Sequence, residues 1–278
     1  MPLGLSDNLF KRIVSALALL PVVLGFIYLG GWWFFGLLAV GGWLMFKEWC
    51  ALTGVKTQSV VIRQGIFIIG LTALQTYFID NLGILPLGFV AMQAPVFLYT
   101  QPRKLAQNAA STSSNDNAYI GAAYVFLALV SLTWLRNSDE NGLTVIWLFF
   151  AVWAMDVGGY FAGKGIGGPK LAPMLSPKKT WAGLIGGMVL AAIISVVISM
   201  AFGLGSPVWM GLAGALVAVV AQLGDLYESA VKRALNAKDS GNLIPGHGGI
   251  LDRVDGLVFA APAVALAMAV PLLSKVSG

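Results

Sequence analysis

The chain has 278 residues, of which 58% are hydrophobic and 10% charged, and its mean hydropathy is +0.83. Because soluble domains carry about 25% charged residues, this composition excludes a water-soluble protein and predicts an integral membrane protein. The single cysteine, Cys50, excludes an internal disulfide and a cysteine-rich zinc site, and one histidine argues against a zinc enzyme.

Apolar segments of roughly membrane-spanning length recur along the whole chain. Backbone groups in hydrocarbon must be paired within their own segment, so these segments are predicted to be helices. The first segment resembles a signal peptide, but no small-residue cleavage site follows it, and we expect it to remain as a helix. We predict an all-α, polytopic membrane protein with about nine transmembrane helices, at 13–30, 32–46, 64–79, 83–99, 119–135, 143–162, 181–203, 207–227 and 257–273.

Lysine and arginine placement predicts the orientation of these helices. With the N-terminus in the cytosol, fifteen of the 17 basic residues fall in cytosolic segments, and only Arg136 and Lys275 fall outside. Basic residues concentrate on the cytosolic side of membrane proteins. We therefore predict an N-in/C-out protein of the inner (cytoplasmic) membrane, with the charge-rich loops 163–180 and 228–256 and the active site facing the cytosol.

A polar, low-complexity stretch at 106–118 predicts a flexible loop near the middle of the chain. We expect it to separate N-terminal transmembrane helices (1–142) from a C-terminal catalytic transmembrane region (143–278). No internal repeat is evident, so a transporter built from inverted repeats gains no support.

Residues 225–255 hold nine of the chain's 29 charged residues. Asp225 closes an apolar helix, and Asp252 and Asp255 share one face at the first turn of the next. Carboxylates from two helix ends suit a hard cation such as Mg²⁺, which is held by a few carboxylates together with substrate phosphates. The alternative is a set of ion-paired helix caps, stabilised by the helix dipole.

The glycine-rich turn before Asp252 contains His247, Gly248 and Gly249. Glycines allow a backbone to approach a ligand closely and to offer its N–H groups to a phosphate. A plain tight turn, with a histidine bonded to the backbone, is the alternative.

The loop 163–180 and the helix before it supply a second group of candidates. Asp156 interrupts an apolar run, where an ionisable residue is costly and marks a functional site; a helix–helix hydrogen bond is the alternative. Hydroxyls and ammonium groups at a helix start form an anion site, although the lysines could also act as topological anchors. The candidate residues for this anion site are Ser176, Lys178, Lys179 and Thr180.

The segment from Ser229 to Asp255 resembles the signature of the CDP-diacylglycerol synthases, or phosphatidate cytidylyltransferases. The matching residues are Ser229, Lys232, Arg233, Lys238, Asp239, Pro245, His247, Gly248, Gly249, Asp252, Arg253 and Asp255. Upstream, Asp156, Tyr160, Gly163, Lys164 and Ser176 to Trp181 resemble further elements of that family, with a departure at Ala182. The resemblance covers roughly residues 145–270.

The resemblance implies a reaction of CTP with phosphatidic acid of the bilayer, giving CDP-diacylglycerol and pyrophosphate. It implies Mg²⁺ as cofactor, held by Asp225, Asp252 and Asp255, with a second cation left open. The catalytic residues expected are Asp225, Lys232, Arg233, Lys238, Asp239, His247, Asp252, Arg253 and Asp255. The substrate-binding residues expected are Asp156, Tyr160, Lys164, Ser176, Lys178, Lys179, Thr180, Ser229, Gly248 and Gly249. No nucleic acid is expected as a partner, and a homodimer is left open.

Three alternatives come from other classes. An ion-coupled transporter would spread polar residues through many helices, whereas these cluster at one face. A membrane scaffold would not require the intact HGGxxDRxD spacing. A CTP-dependent lipid kinase is the nearest enzymatic alternative, and the products made from CTP and phosphatidate distinguish it.

Overall fold

The structure is a computed structural model that describes residues 20–82, 102–110, 115–241, 243 and 248–276. Its elements in chain order are α1 (Leu20–Leu29), α2 (Gly31–Leu52), α3 (Gln58–Leu82), α4 (Pro102–Ala110), α5 (Asp116–Arg136), α6 (Leu143–Gly165), β1 (Lys170–Ala172), β2 (Ser176–Thr180), α7 (Trp181–Phe202), α8 (Pro207–Ala234) and α9 (Leu251–Val276). The predicted span 83–99 and His247 lie outside the described residues.

Six helices of the described chain are long and apolar enough to cross a membrane: α2, α3, α5, α6, α7 and α8. The expected multi-pass helical architecture is therefore confirmed. The count of about nine spans and the N-in/C-out orientation stay predictions.

Helix α5 lies at the centre of the bundle. In its most apolar window 72% of the residues are buried, against 22% for α7. Trp49 of α2 donates from its indole N–H to the Asn117 carbonyl oxygen at 2.8 Å and stacks on Tyr124 at 5.0 Å between ring centroids. The continuous apolar core around α5 includes side chains from both sides of the predicted boundary at residue 142.

Helices α6 and α7 pack with their backbones nearly in contact. A Cβ added to Gly158 would lie 2.6 Å from the Gly186 carbonyl oxygen, and one added to Gly183 would lie 2.9 Å from the Gly159 carbonyl oxygen. Small residues permit this close approach between membrane helices. This contact fixes the end of α6 and the start of α7, which the hairpin of β1 and β2 connects.

Both predicted cytosolic loops are more ordered than the sequence suggested. The first, 163–180, contains the end of α6 and an antiparallel hairpin in which Lys170 pairs with Thr180, so the fold is not purely α-helical. The second, 228–256, is shortened because α8 continues to Ala234 and α9 begins at Leu251. Lys232, near the end of α8, is paired with Glu228 on its own helix and with Asp252 on α9, so this part of the predicted loop is helical instead of solvated.

Candidate active site

The centre of the site is the crossing of α8 and α9. A Cβ added to Gly224 would lie 2.5 Å from the Asp255 carbonyl oxygen, and one added to Gly256 would lie 3.1 Å from the Ala221 Cβ. Each helix therefore places a glycine against its neighbour, directly beside one of the acidic residues. This close contact brings the Asp225 and Asp255 carboxylates into electrostatic interaction with each other.

Asp156 of α6 joins this acidic pair from a third helix. Its carboxylate interacts electrostatically with Asp225 and with two cations, Lys179 and Arg253. A carboxylate inside an apolar helix requires such partners or water. The sequence marked Asp156 as a functional residue without naming these partners, and its role in substrate binding stays a prediction.

The hairpin contributes one lysine to the acidic pair. Lys179 forms an ion pair with Asp225 Oδ2, and Ser229 donates its hydroxyl to Asp225 Oδ1 at 3.4 Å. Lys178 is exposed, because successive side chains of a strand point to opposite faces. The two lysines, treated together in the sequence, therefore have different surroundings.

Thr180 serves the fold of the hairpin. Its hydroxyl accepts a hydrogen bond from the Gly183 amide at 3.0 Å and caps the N-terminus of α7, and its side chain is buried. This geometry is that of an ordinary helix N-cap. In this structure Thr180 contributes to the site by positioning β2, while Ser176 at the other end of that strand is half-buried.

Lys232 is held by two carboxylates. Its Nζ lies 2.7 Å from Glu228 Oε2 and 2.6 Å from Asp252 Oδ1. Glu228 is 3% exposed and was absent from the predicted site residues. Its i,i+4 spacing to Lys232 was visible in the sequence, but this spacing on a helix is common and does not indicate burial.

Asp252 is the most heavily hydrogen-bonded of the predicted metal ligands. Besides Lys232 on Oδ1, its Oδ2 accepts from the Ser240 amide and hydroxyl, both at 3.0 Å, and from the Gly249 amide at 2.9 Å. Burial alone would raise the pKa of Asp252, but the hydrogen bond from Lys232 and those from the two amides outweigh it and hold the pKa below its usual value. Asp252 therefore carries a charge that the surrounding loop stabilises.

The glycine-rich turn is folded around protein carboxylates. The Gly249 amide, expected to serve a phosphate, is used by Asp252. Gly248 has a φ of +82°, a conformation that favours glycine, and a Cβ there would lie 3.0 Å from Asp252 Oδ2. In this arrangement the two glycines are needed for the turn itself.

Glu48 of α2 was not predicted as part of the site. It is 9% exposed, and its carboxylate accepts hydrogen bonds from the amides of Ile250 and Leu251, each at 2.9 Å. It lies two residues beyond the predicted span 32–46, so only its charge beside that span could have marked it.

The remaining predicted residues lie around this centre. Lys164 and Tyr160 are exposed and contact each other, with 3.4 Å between Nζ and Oη. Arg233 is exposed and donates to the Leu175 carbonyl oxygen at 3.3 Å, which connects α8 to the hairpin. The exposed residues at the rim also include Lys238, Asp239 and Arg253.

The three-aspartate metal site expected from the sequence stays a prediction. In the part of the chain that the structure describes, no group of three His, Cys, Asp or Glu side chains is arranged to hold a metal ion. Asp252 accepts from four donors, Asp225 from Lys179 and Ser229, and Asp255 from the Gly256 amide at 2.8 Å.

Similarity to known proteins agrees with this arrangement. A sequence profile of the cytidylyltransferase family matches residues 10–270. The chain belongs to that family. It is 36% identical over 268 residues to the phosphatidate cytidylyltransferase of Brucella suis, with 92% of this chain and 91% of the relative covered.

Two further relatives match over a shorter region. The phosphatidate cytidylyltransferase of Bacillus subtilis is 42% identical over 147 residues, covering 51% of this chain and 54% of the relative. That of Rickettsia bellii is 38% identical over 150 residues, covering 51% and 65%. The family resemblance inferred from the sequence is thus confirmed.

Proposed function

We propose that the protein transfers a cytidylyl group from CTP to phosphatidate, forming CDP-diacylglycerol and pyrophosphate. The observation that carries this proposal is the convergence of the family's acidic and basic signature residues at one end of the α8–α9 crossing. An anionic nucleotide and an anionic lipid can meet there at the end of the apolar helices. Similarity to phosphatidate cytidylyltransferases over most of the chain supports the choice of substrates.

In the proposed reaction, a phosphate oxygen of phosphatidate attacks the α-phosphorus of CTP. The new P–O bond forms as the bond from the α-phosphorus to the bridging oxygen breaks, and pyrophosphate takes that oxygen away. The lipid phosphate is already ionised, so no general base is assigned. Catalysis then depends on positioning and on neutralising phosphate charge.

The hairpin and the rim provide that neutralisation. Lys179 is paired with Asp225 and can exchange this partner for a substrate phosphate, and charge-assisted hydrogen bonds of this kind are among the strongest in proteins. Further exposed basic residues of the hairpin and of the α8–α9 region are assigned the same role: Lys178, Arg233, Lys238 and Arg253. His247, assigned the same role from the sequence, lies outside the described residues.

Mg²⁺ is proposed as the cofactor, with Asp225 and Asp255 as the residues that would hold it. When bound, the ion would neutralise charge on the triphosphate. Asp252 was assigned to the same ion from the sequence; its present hydrogen bonds give it the role of organising Lys232 and the glycine-rich turn. A second cation is left open.

The orientation of the site is also proposed from the charge distribution. The hairpin and the loop between α8 and α9 carry basic residues that favour the cytosolic side, where CTP is made. Single cysteines introduced at Asn236 or Lys238 of a variant lacking Cys50 should react with an impermeant reagent only from the cytosolic side. Labelling from outside intact cells would overturn this orientation.

The reaction itself is tested by product analysis. The purified protein is given CTP labelled in the α-phosphate or in the γ-phosphate, with phosphatidate in detergent micelles and Mg²⁺. The α-label should appear in lipid and the γ-label in pyrophosphate. Transfer of the γ-label to lipid would identify a lipid kinase, and no transfer of either label would reject both activities.

A further inference from the structure

We propose that Glu48, in α2, is a positioning residue of the active site that holds the start of α9 and the described part of the loop before it. The proposal rests on the proposed cytidylyl transfer, because it assigns Glu48 a role in that reaction. Glu48 contacts neither Asp225 nor Asp255; it acts through the residues that organise Asp252 and Lys232. The N-terminal helices thereby take part in the reaction and not only in membrane anchoring.

The Glu48 carboxylate satisfies backbone donors at the start of α9. Its Oε1 accepts from the Ile250 amide and its Oε2 from the Leu251 amide, at 2.9 Å each, across 202 and 203 residues of sequence. The first amides of a helix have no partner within the helix, and a carboxylate there is also favoured by the helix dipole. Glu48 thus acts as an N-cap supplied by a distant helix.

The loop is shaped to receive this carboxylate. A Cβ added to Gly241 would lie 2.9 Å from Glu48 Oε1, and one added to Gly249 would lie 2.6 Å from Glu48 Oε2. Both glycines therefore leave space that the carboxylate fills. The close approach on two sides indicates a built contact, not a long side chain resting on a surface.

A hydrogen-bonded chain leads from Glu48 to the site. Ser240 Oγ lies 3.3 Å from Glu48 Oε2 and 3.0 Å from Asp252 Oδ2. Its single proton can be donated to only one of them at a time, and the backbone amide of Ser240 holds Asp252 in either case. Asp252 then binds Lys232, which is also bound by Glu228 on α8.

This chain joins three helices at the point where the acidic pair is formed. Asp255 lies one turn beyond Asp252 on α9, so the capped start of the helix determines where both carboxylates lie relative to α8. Removing the negative cap should let the start of α9 shift while the apolar part of the helix stays packed. Catalysis is sensitive to displacements of about 1 Å in positioning groups.

The test is the Glu48→Gln variant, which keeps the length of the side chain. A glutamine side chain has one oxygen and one NH₂ group. Its NH₂ group would face one of the two backbone N–H groups that Glu48 now accepts from, so that contact becomes unfavourable. We expect kcat to fall at least about tenfold, with KM for CTP within about twofold of the wild-type value. Membrane content and the thermal midpoint of the purified protein should change little, and trypsin should cleave faster after the exposed Lys238.

Two matched variants serve as controls. Glu140→Gln makes the same change at an exposed position between α5 and α6, and Lys47→Gln changes the exposed neighbour of Glu48. Both should keep the wild-type kcat and cleavage rate. A Glu48→Gln enzyme with wild-type kcat, or one whose activity falls only in proportion to the amount of folded protein, would overturn the proposal.

A second variant covers the case in which Glu48→Gln does not accumulate. Ser240→Ala leaves both backbone contacts of Glu48 in place and removes the hydroxyl that lies between the two carboxylates, and it should lower kcat at least about threefold. Unchanged kcat in Ser240→Ala would then reject the proposed connection. Wild-type protein that makes no CDP-diacylglycerol would instead reject the proposed function, so the two failures are distinguishable.

Discussion

The hairpin of β1 and β2 and the loop between α8 and α9 both carry many charged residues, but they use them differently. In the hairpin, Lys178 is exposed and Lys179 has a single carboxylate partner. In the loop, Asp252 and Glu48 accept hydrogen bonds from five backbone or hydroxyl donors besides Lys232. Lys178 and Lys179 therefore have fewer protein partners than Asp252 and Glu48, whose hydrogen bonds hold the described part of the loop.

This difference bears on the role of Gly248 and Gly249 in the turn before α9. Gly248 and Gly249 would be expected to make the backbone flexible. Here the Gly249 amide donates to Asp252, and the space that a side chain would fill at either glycine is occupied by a carboxylate of the protein itself. In the proposed function, the hydrogen bonds of Gly249 and Ser240 would hold Asp252 in place, while the exposed Lys178 of the hairpin would be available to an anionic substrate.

We expect the largest effect at the acidic pair of Asp225 and Asp255, because neither the hairpin nor the loop can replace a lost carboxylate there. Asp255→Asn keeps the size of the side chain but removes one of two facing charges, and turnover should fall roughly a hundredfold or more. The kcat of the purified enzyme at saturating Mg²⁺ measures this. Asp116→Asn, at an exposed position of α5, is the matched control and should be unaffected. Turnover close to wild type for Asp255→Asn would reject the assignment of this residue.

An intermediate effect is expected in the hairpin, and it should differ between adjacent lysines. Lys179→Gln removes the cation nearest Asp225, and a lost charge-assisted hydrogen bond is worth about 1.5–3 kcal/mol, so kcat/KM should fall at least about tenfold. Lys178→Gln should cost less, because its side chain points to the other face of the strand. Lys170→Gln, exposed on β1, is the control. Equal losses for Lys178 and Lys179 would contradict the assignment by strand face.

At Asp252 the expected loss of turnover per folded molecule is smaller than at Asp255 and about that of Glu48→Gln, and it is accompanied by a clear loss of stability. The pKa of Asp252 is lower in the folded protein than in the unfolded chain, so its contribution to stability is present above the unfolded pKa and is lost as pH falls through the folded value. Asp252→Asn should therefore lower the thermal midpoint at pH 7 by several degrees, and the difference from wild type should shrink below about pH 4.

Asp239→Asn is the control for that measurement. Asp239 is exposed in the segment that follows α8, so its change should not affect the thermal midpoint. If Asp252→Asn unfolds at the wild-type temperature but loses turnover as severely as Asp255→Asn, then Asp252 belongs to the metal site predicted from the sequence and not to the loop.

Most of the architecture could be predicted from the sequence. Hydropathy identified the helices, and the i, i+4 and i+7 spacing of Asp225, Ser229 and Lys232 identified the helical face that carries the site. Both Asp225 and Ser229 lie together in the structure as that spacing required. Local spacing predicts such contacts because they depend on one helix only.

The remaining features depend on contacts that local spacing does not encode. Lys178 and Lys179 are equivalent in the sequence and differ only once the segment is known to be a strand. Lys232 was expected to bind phosphate, but its partners are on its own helix and on α9. Glu48 was missed because its partners are more than 200 residues away and are backbone amides, which leave no mark on residue type.

The cap that Glu48 places on α9 also bears on how the protein is made. Chains are synthesised and fold from the N-terminus, so α2 enters the membrane long before residues 250 and 251 leave the ribosome. During that interval the Glu48 carboxylate lacks the two amides that satisfy it, and a buried carboxylate without partners is costly. The helix α2 can therefore settle fully only after α9 has been made, so the order of synthesis delays assembly of the site until α9 packs against α2.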